Sequence, residues 1–192
     1  MKKTTVCINN SILQNSPLDD ISTEQLWNAA QIHIVKQGDF LLRAGQTCQH
    51  IWLLEKGACR AFYDHHTREI NTAFFFESDF ITNMKSLRNQ DPSGYHLQAN
   101  TRSVLLRWHK DTLAGLYKLS PAIAAFGRER LELLAIAGET HADWLKTHTP
   151  EERYQYILQH QPELIQRVSI TQLSSYIGIS RETLSRIRRR VL

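Results

Sequence analysis

The 192-residue chain is poor in the residues that build disulfide frameworks or thiolate metal sites. It has three cysteines, Cys7, Cys48 and Cys59, which are widely spaced and form no Cys-x-x-Cys pair. An odd number of isolated thiols disfavours both a disulfide scaffold and a zinc ribbon. The same count excludes an iron–sulfur cluster held by four thiolates. We therefore expect no metal and no cofactor, and a chain suited to the reducing cytoplasm.

Long hydrophobic runs are also lacking. The first residues, MKKTTVCINNSIL, turn polar directly after their lysines, unlike the apolar region of a signal peptide. No apolar stretch approaches the roughly 20 residues that span a bilayer. The sequence therefore predicts a cytoplasmic protein without a membrane partner.

Excess charge is lacking everywhere except in one segment. The formal net charge is +4, and residues 181–190 alone contain five arginines and one glutamate, which is also +4. The remainder of the chain is therefore neutral by the same count. Positive charge concentrated on one segment indicates a polyanionic partner such as nucleic acid.

The segment that carries this charge has the pattern of two short helices joined by a tight turn. Ser169 and Gln172 have the spacing of a capping box at the start of the first helix. Gly178 can leave that helix with a positive φ angle, and Ser180 can cap the second helix. A helix-turn-helix places its second helix in the major groove of DNA. The alternative is an ordinary helical hairpin with a solvated basic face.

The second helix is predicted to have one apolar and one polar face. Leu184, Ile187 and Val191 recur at helical spacing and should pack on the first helix. The sequence SRETLSR at residues 180–186, after Ile-Gly-Ile at 177–179, resembles the recognition helix of the Crp/Fnr family of bacterial transcription regulators.

This resemblance implies that Arg181, Glu182 and Arg186 contact base edges. Arginine can bond guanine O6 and N7 together, and a carboxylate can accept from cytosine N4. We expect the remaining polar side chains to contact phosphates, which position a protein without specifying sequence. The predicted base-reading residues are Arg181, Glu182, Ser185 and Arg186, and the predicted phosphate contacts are Ser180, Thr183, Arg188 and Arg189. The implied partners are near-palindromic double-stranded DNA and RNA polymerase.

The first half of the chain has short β-rich runs separated by turn signals. Gly38-Asp39, Gly45-Gln46 and Lys56-Gly57 divide them, which predicts an antiparallel barrel or jelly roll. Lys56-Gly57 is interpreted as a tight hairpin turn. The spacing is similar to the double-stranded β-helix effector domain of the same family. Cupin-like metal enzymes share this fold class, but no His-x-His or His-x-x-x-Glu pair lies on a predicted strand.

Residues 77–99 correspond to the ligand-binding corner of that family. Relatives that bind cyclic AMP have a Gly-Glu pair here and, about ten residues later, an Arg-Ser or Arg-Thr pair that clamps the phosphate. This chain has Thr82-Asn83 and Ser93-Gly94 at those places. A buried phosphate needs a cationic partner, so we predict that cyclic AMP does not bind in the usual way. The candidate effector residues are Asn83, Arg88, Ser93 and Gly94.

Residues 121–147 predict one long helix with two apolar lines. One line has heptad spacing, which is typical of a seam with a partner helix. The seam residues are Ala124, Gly127, Leu131, Leu134, Gly138, His141 and Leu145. We interpret the two glycines as allowing close approach of a second copy in a parallel homodimer. The alternative is a helix buried within a monomer.

These patterns predict an α+β protein of three parts. The parts are an effector-sensing β-roll domain of jelly-roll, cyclic-nucleotide-binding-like type (1–119), a dimerisation helix (120–147) and a helix-turn-helix domain (148–192) that lacks a terminal wing. The predicted function is a sequence-specific, homodimeric transcription regulator and not an enzyme. Two alternatives stay open: a cupin-like metal-dependent enzyme, and a ligand-binding regulatory protein that acts through protein partners.

Overall fold

The structure is a computed structural model that describes residues 18–191. Cys7 and the N-terminal arm lie outside these residues. The elements are α1 Asp20–Asn28, β1 Gln31–Val35, β2 Phe40–Leu42, β3 His50–Lys56, β4 Cys59–His65, β5 Arg68–Phe75, β6 Phe80–Ile81, α2 Met84–Asn89, β7 His96–Ala99, β8 Ser103–His109, α3 Lys110–Leu119, α4 Pro121–Thr147, α5 Pro150–His160, α6 Pro162–Arg167, α7 Ile170–Tyr176 and α8 Arg181–Val191.

Eight strands form the predicted β-roll from two antiparallel sheets. The strand orders are β1-β8-β3-β6 and β2-β7-β4-β5. Side chains from both sheets meet in one apolar core, with Trp52 and Leu105 from the first sheet and Ala61 and Leu97 from the second. The α+β fold class with a jelly-roll domain is therefore confirmed.

The interpretation of Lys56-Gly57 as a hairpin turn is wrong. β3 pairs with β6 and β8, whereas β4 pairs with β5 and β7. The turn therefore carries the chain from one sheet to the other. Gly57 has φ +113° and lies against the backbone of Arg102 and Ser103. β4 and β5 form a hairpin in which His65 pairs with Arg68, and its turn consists of His66 and Thr67.

The outer face of the first sheet is covered by helices. Leu53 and Leu106 point away from the roll interior and pack with Ile123 and Phe126 of α4. The indole Nε1 of Trp108 donates to the carbonyl of Leu26 at 2.8 Å, which ties α1 to β8. The first turns of the long helix are thereby fixed to the β-roll.

The C-terminal helices form a separate apolar core around Tyr154, Ile157, Ile177 and Leu184, all of which have no exposed surface. Trp144, near the end of α4, joins the same core. α4 therefore packs on the β-roll at its beginning and on the C-terminal helices at its end.

Gly57→Ala should destabilise the fold by about 3 kcal/mol. A Cβ atom there would lie 2.8 Å from the Arg102 carbonyl oxygen and 2.9 Å from the Ser103 Cα, and the positive φ angle adds backbone strain. Urea unfolding of the purified chain measures this change.

Gly45→Ala is the matched control. Gly45 has φ +85° with no atom within 4 Å of an added Cβ, so only strain of about 1 kcal/mol is expected. Equal destabilisation by the two substitutions would contradict the steric role of the Gly57 crossover.

Candidate nucleic-acid interface

The start of α8 is built by local geometry that the sequence predicts. Ser169 and Gln172 form the expected capping box at α7, and Gly178 leaves α7 with φ +73°. The Ser180 hydroxyl accepts from the Thr183 amide at 3.1 Å, which caps α8. The two helices of the helix-turn-helix are therefore confirmed.

The apolar face of α8 is buried as predicted. Leu184 is 0% and Ile187 2% exposed, and both pack with Leu173 and Ile177 of α7. Val191 is partly buried in the same core. Because these residues hold one side of α8 against α7, its other side faces outward.

Three of the four predicted base-reading residues are exposed on that outward side. Arg181, Glu182 and Arg186 are exposed, and Ser185 is half-buried. Hydrogen bonds from the Glu182 amide and the Ser180 hydroxyl hold the pKa of the Glu182 carboxyl below its ordinary value. Glu182 is therefore a charged acceptor at the start of the helix.

The predicted phosphate-contacting residues are divided between the two ends of α8. The hydroxyls of Ser180 and Thr183 are 3.1 Å apart, and Arg186 Nη2 donates to Thr183 Oγ1 at 3.3 Å. Arg189 is exposed and Arg188 is half-buried. Arg190, which the sequence reasoning did not assign, pairs with Glu151 of α5 at 3.4 Å.

The β4–β5 hairpin stands beside the start of α8. A cleft of about 800 Å³ separates them, and Arg68 lines one wall while Arg181 and Glu182 line the other. Arg68 also contributes to the lowered pKa of Glu182. A positive side chain from the β-roll therefore neighbours the start of α8.

α7 docks on β5 through hydrogen bonds. Ser175 Oγ accepts from the Asn71 amide at 2.9 Å and donates to the Glu69 carbonyl at 2.8 Å. Gln172 Nε2 donates to Asn100 Oδ1 at 2.8 Å. The polar side of α7 is thus used within the chain, which no local sequence pattern indicates.

An ion pair reinforces this docking from α6. Arg167 Nη1 and Nη2 donate to the two carboxylate oxygens of Glu77 at 2.6 and 3.0 Å, and Arg167 also donates to the Gly57 carbonyl. The hydrogen bonds that Glu77 accepts, first from Arg167 and then from the Gly57 amide, lower the pKa of its carboxyl group to about 2. The partners are 90 residues apart, so sequence reasoning missed them.

The middle of α4 is exposed along the predicted dimer seam. Every residue from 131 to 140 is exposed. Their large apolar side chains have exposures of 40, 49, 37 and 58% at Leu131, Leu133, Leu134 and Ile136. Within residues 18–191, no atom lies within 4 Å of a Cβ added at Gly138. On the second apolar line of α4, Ile123 and Phe126 are buried against the β-roll, whereas Leu133 is exposed.

Other seam residues have partners in their own chain. A Cβ on Gly127 would lie 2.6 Å from the Tyr117 hydroxyl, so this glycine accommodates α3. His141 stacks on Tyr176 at 4.6 Å, and its burial lowers its pKa. Leu145 packs with the C-terminal core, and Ala124 is half-buried.

Two of the four predicted effector residues come together. Asn83 Nδ2 donates to Ser93 Oγ at 2.8 Å, and both residues are buried. Asn83 also caps α2, and Ser93 Oγ donates to the Tyr95 carbonyl. Arg88 and Gly94 are exposed. The two buried polar side chains therefore satisfy each other and the local backbone.

Residues 18–191 were compared with the requirements of a metal site and of a membrane-spanning helix. In this range, no three His, Cys, Asp or Glu side chains are grouped so as to hold a metal ion. The ligand cluster that a cupin-like enzyme requires is therefore not found among these residues. None of the described helices is long and apolar enough to cross a bilayer.

Comparison with known proteins gives a family match over part of the chain and several similar folds. Residues 32–120 match the family model for the cyclic nucleotide-binding domain. No curated protein sequence matches the chain. Three solved structures are similar in fold, each below 25% identity.

The first is the catabolite activator protein of Thermus thermophilus, with 21% identity, TM-score 0.58, and 92% of this chain and 86% of that chain covered. The second is FixK2 from Bradyrhizobium japonicum, with 16% identity, TM-score 0.73 and 84% of each chain covered. The third is CLP of Xanthomonas campestris, described as a c-di-GMP-responsive global regulator, with 20% identity, TM-score 0.68, and 90% and 91% covered.

Glu77→Gln should remove an acid-sensitive part of the stability. Because the folded pKa of about 2 lies below the ordinary 4.5, the pair stabilises the fold above about pH 4.5, and this contribution is lost as the pH falls towards 2. We expect a loss of about 1–3 kcal/mol at pH 7 and a flatter dependence of unfolding free energy on pH between 5 and 2.

Glu151→Gln provides the control, because its pair with Arg190 is exposed and should contribute less than about 1 kcal/mol. Urea unfolding from pH 7 to pH 2.5 measures both. An unchanged pH profile for Glu77→Gln would contradict the assigned role of the ion pair.

Proposed function

We propose that this chain is a homodimeric DNA-binding transcription regulator. Its fold is that of Crp/Fnr-type regulators, and its residues 32–120 match the cyclic nucleotide-binding domain family. The observation that carries the proposal is α8: its apolar face is buried, while Arg181, Glu182, Arg186 and Arg189 are exposed. Such a helix fits the major groove, with its first turn towards the bases.

The chemistry of α8 supports two separate roles for its side chains, contact with bases and contact with phosphates. Arg181 and Arg186 can bond guanine, and the ionised Glu182 can accept from cytosine. Arg188 and Arg189 lie about two turns after Arg181, where they would contact phosphates. The Ser180 hydroxyl caps α8, and the Thr183 hydroxyl lies 3.1 Å from it. Both hydroxyls lie at the start of the helix, from which they would reach phosphates.

The exposed middle of α4 supports dimerisation. A soluble chain rarely exposes four large aliphatic side chains within six residues without a partner. A second copy along Leu131, Leu134 and Gly138 would cover them. A twofold axis there would place two α8 helices on successive major grooves, roughly 34 Å apart.

The sensor domain is proposed not to bind cyclic AMP in the usual way. Thr82 and Asn83 occupy the place of the Gly-Glu pair, and Ser93 that of the arginine. Asn83 and Ser93 bond each other in a buried contact, so a cyclic phosphate would have no cation from these positions.

Arg186→Ala and Arg189→Ala should affect DNA binding differently. Loss of Arg186 should relax base preference at one position and reduce affinity for the preferred site by about 1–3 kcal/mol. Loss of Arg189 should weaken binding to all sequences alike and reduce the slope of log affinity against log salt concentration by about two for the dimer, or about one per protomer. A site selected from a random DNA pool, followed by titration at several salt concentrations, measures both.

Arg128→Ala is a control, since Arg128 is exposed on α4, far along the chain from α8. Equal effects of Arg186→Ala and Arg189→Ala on selected and random DNA would contradict the assignment. Failure to enrich any sequence from the pool would contradict the proposed function.

Calorimetry with cyclic AMP and cyclic GMP tests the sensor domain. We expect no saturable heat at micromolar ligand for the wild-type chain, because no clamp arginine stands at position 93. Ser93→Arg restores that cation and should allow weak binding. Micromolar affinity of the wild-type chain would contradict the prediction.

A further inference from the structure

An apolar cavity lies outside the β-roll, between the first sheet and helices α3 and α4. Its volume is about 190 Å³. Ile51 lines this cavity, whereas its neighbour Trp52 belongs to the core inside the roll. Successive side chains of a strand point to opposite faces of the sheet. At Ile51 the sheet therefore lies between the cavity and the roll interior, whereas Leu87 of α2 lines the cavity and also packs against the core of the roll.

The walls of the cavity are mainly hydrocarbon. Trp108 of β8, Leu113 of α3 and Phe126 of α4 are buried side chains that line it. Leu131 and Leu134 of α4 continue the lining towards the exposed part of that helix. An engineered cavity of about 150 Å³ with similar walls stays dry and binds benzene. The space therefore suits one aromatic ring or a short branched chain.

Two cations border the same space. Lys110 at the start of α3 and Arg130 of α4 both line the cavity. Arg130 Nη2 lies 3.1 Å from a Glu129 carboxylate oxygen, but its Nε is buried and has no hydrogen-bond acceptor among residues 18–191. A buried charged donor without an acceptor is unfavourable. An oxyanion at this position would supply the missing acceptor.

We propose that this cavity binds a small amphipathic monoanion. Its apolar body, about the size of a phenyl ring, fills the space beside Trp108 and Phe126, and its carboxylate lies with Arg130 and Lys110. Charge complementarity distinguishes this occupant from a purely apolar one.

The position of the cavity connects it to the dimer helix. Phe126, Gly127, Arg130, Leu131 and Leu134 all belong to α4 and line the space. The exposed stretch of α4 begins at residue 131. A ligand in the cavity therefore contacts the helix that we propose to join two copies. Binding itself is independent of the proposed DNA function, since it can be measured without DNA.

Calorimetry with 4-phenylbutyrate and its neutral amide tests the proposal on the full chain. We expect saturable binding of one acid per chain, and at least about tenfold weaker binding of the amide, because a charge-assisted hydrogen bond is lost. Arg130→Gln should reduce the affinity for the acid by a similar factor. Arg128→Gln, on the same helix but outside the lining, should change its affinity by less than about twofold.

A filling variant gives a second, independent readout. Ala114 of α3 lines the cavity, so Ala114→Met should reduce affinity for 4-phenylbutyrate at least about tenfold. Thr112→Met is its control, because Thr112 is exposed on the same helix and does not line the cavity. Circular dichroism before titration checks that each variant is folded.

Three outcomes would overturn the proposal. The first is no saturable binding of the acid by the wild-type chain, and the second is equal affinity for acid and amide. The third is binding that disappears as the protein concentration rises through the range of self-association, which would show that a second copy fills the cavity. A failure of DNA selection with intact 4-phenylbutyrate binding would overturn the DNA function alone.

Discussion

The ion pair between Arg167 and Glu77 joins the two halves of the molecule. Glu77 lies between β5 and β6, and its carboxylate also accepts from the Gly57 amide at 2.8 Å. Arg167 bonds both that carboxylate and the Gly57 carbonyl. The crossover between the two sheets is thereby tied to the helix before α7. Because α7 positions α8, the direction of the candidate reading helix depends on this contact.

The long helix α4 connects the same two halves by packing. Its first turns lie against the β-roll through Ile123 and Phe126, and its last turns reach the C-terminal core through Trp144. Between these anchors, residues 131–140 are exposed. One helix therefore lies against the proposed ligand cavity, the proposed dimer partner and the C-terminal helices.

Features set within a few residues could be predicted from the sequence. The capping box of Ser169 and Gln172, the positive φ of Gly178 and the buried face of Leu184 and Ile187 all depend on local spacing, and all are confirmed. The interpretation of Lys56-Gly57 as a hairpin failed, because a glycine turn can lead to the neighbouring strand or to another sheet. Only the pairing of distant strands decides between these paths.

The sequence by itself determined the jelly-roll and helix-turn-helix classes and the basic face of α8, since periodicity, caps and charge are local properties of the chain. The tertiary structure decided which partners these elements have. It placed Gly127 against Tyr117 in the same chain, where sequence reasoning expected a second copy. It also brought Arg167 to Glu77 across 90 residues and enclosed a cavity beside Arg130. Such contacts arise from packing between distant segments, and no local pattern encodes them.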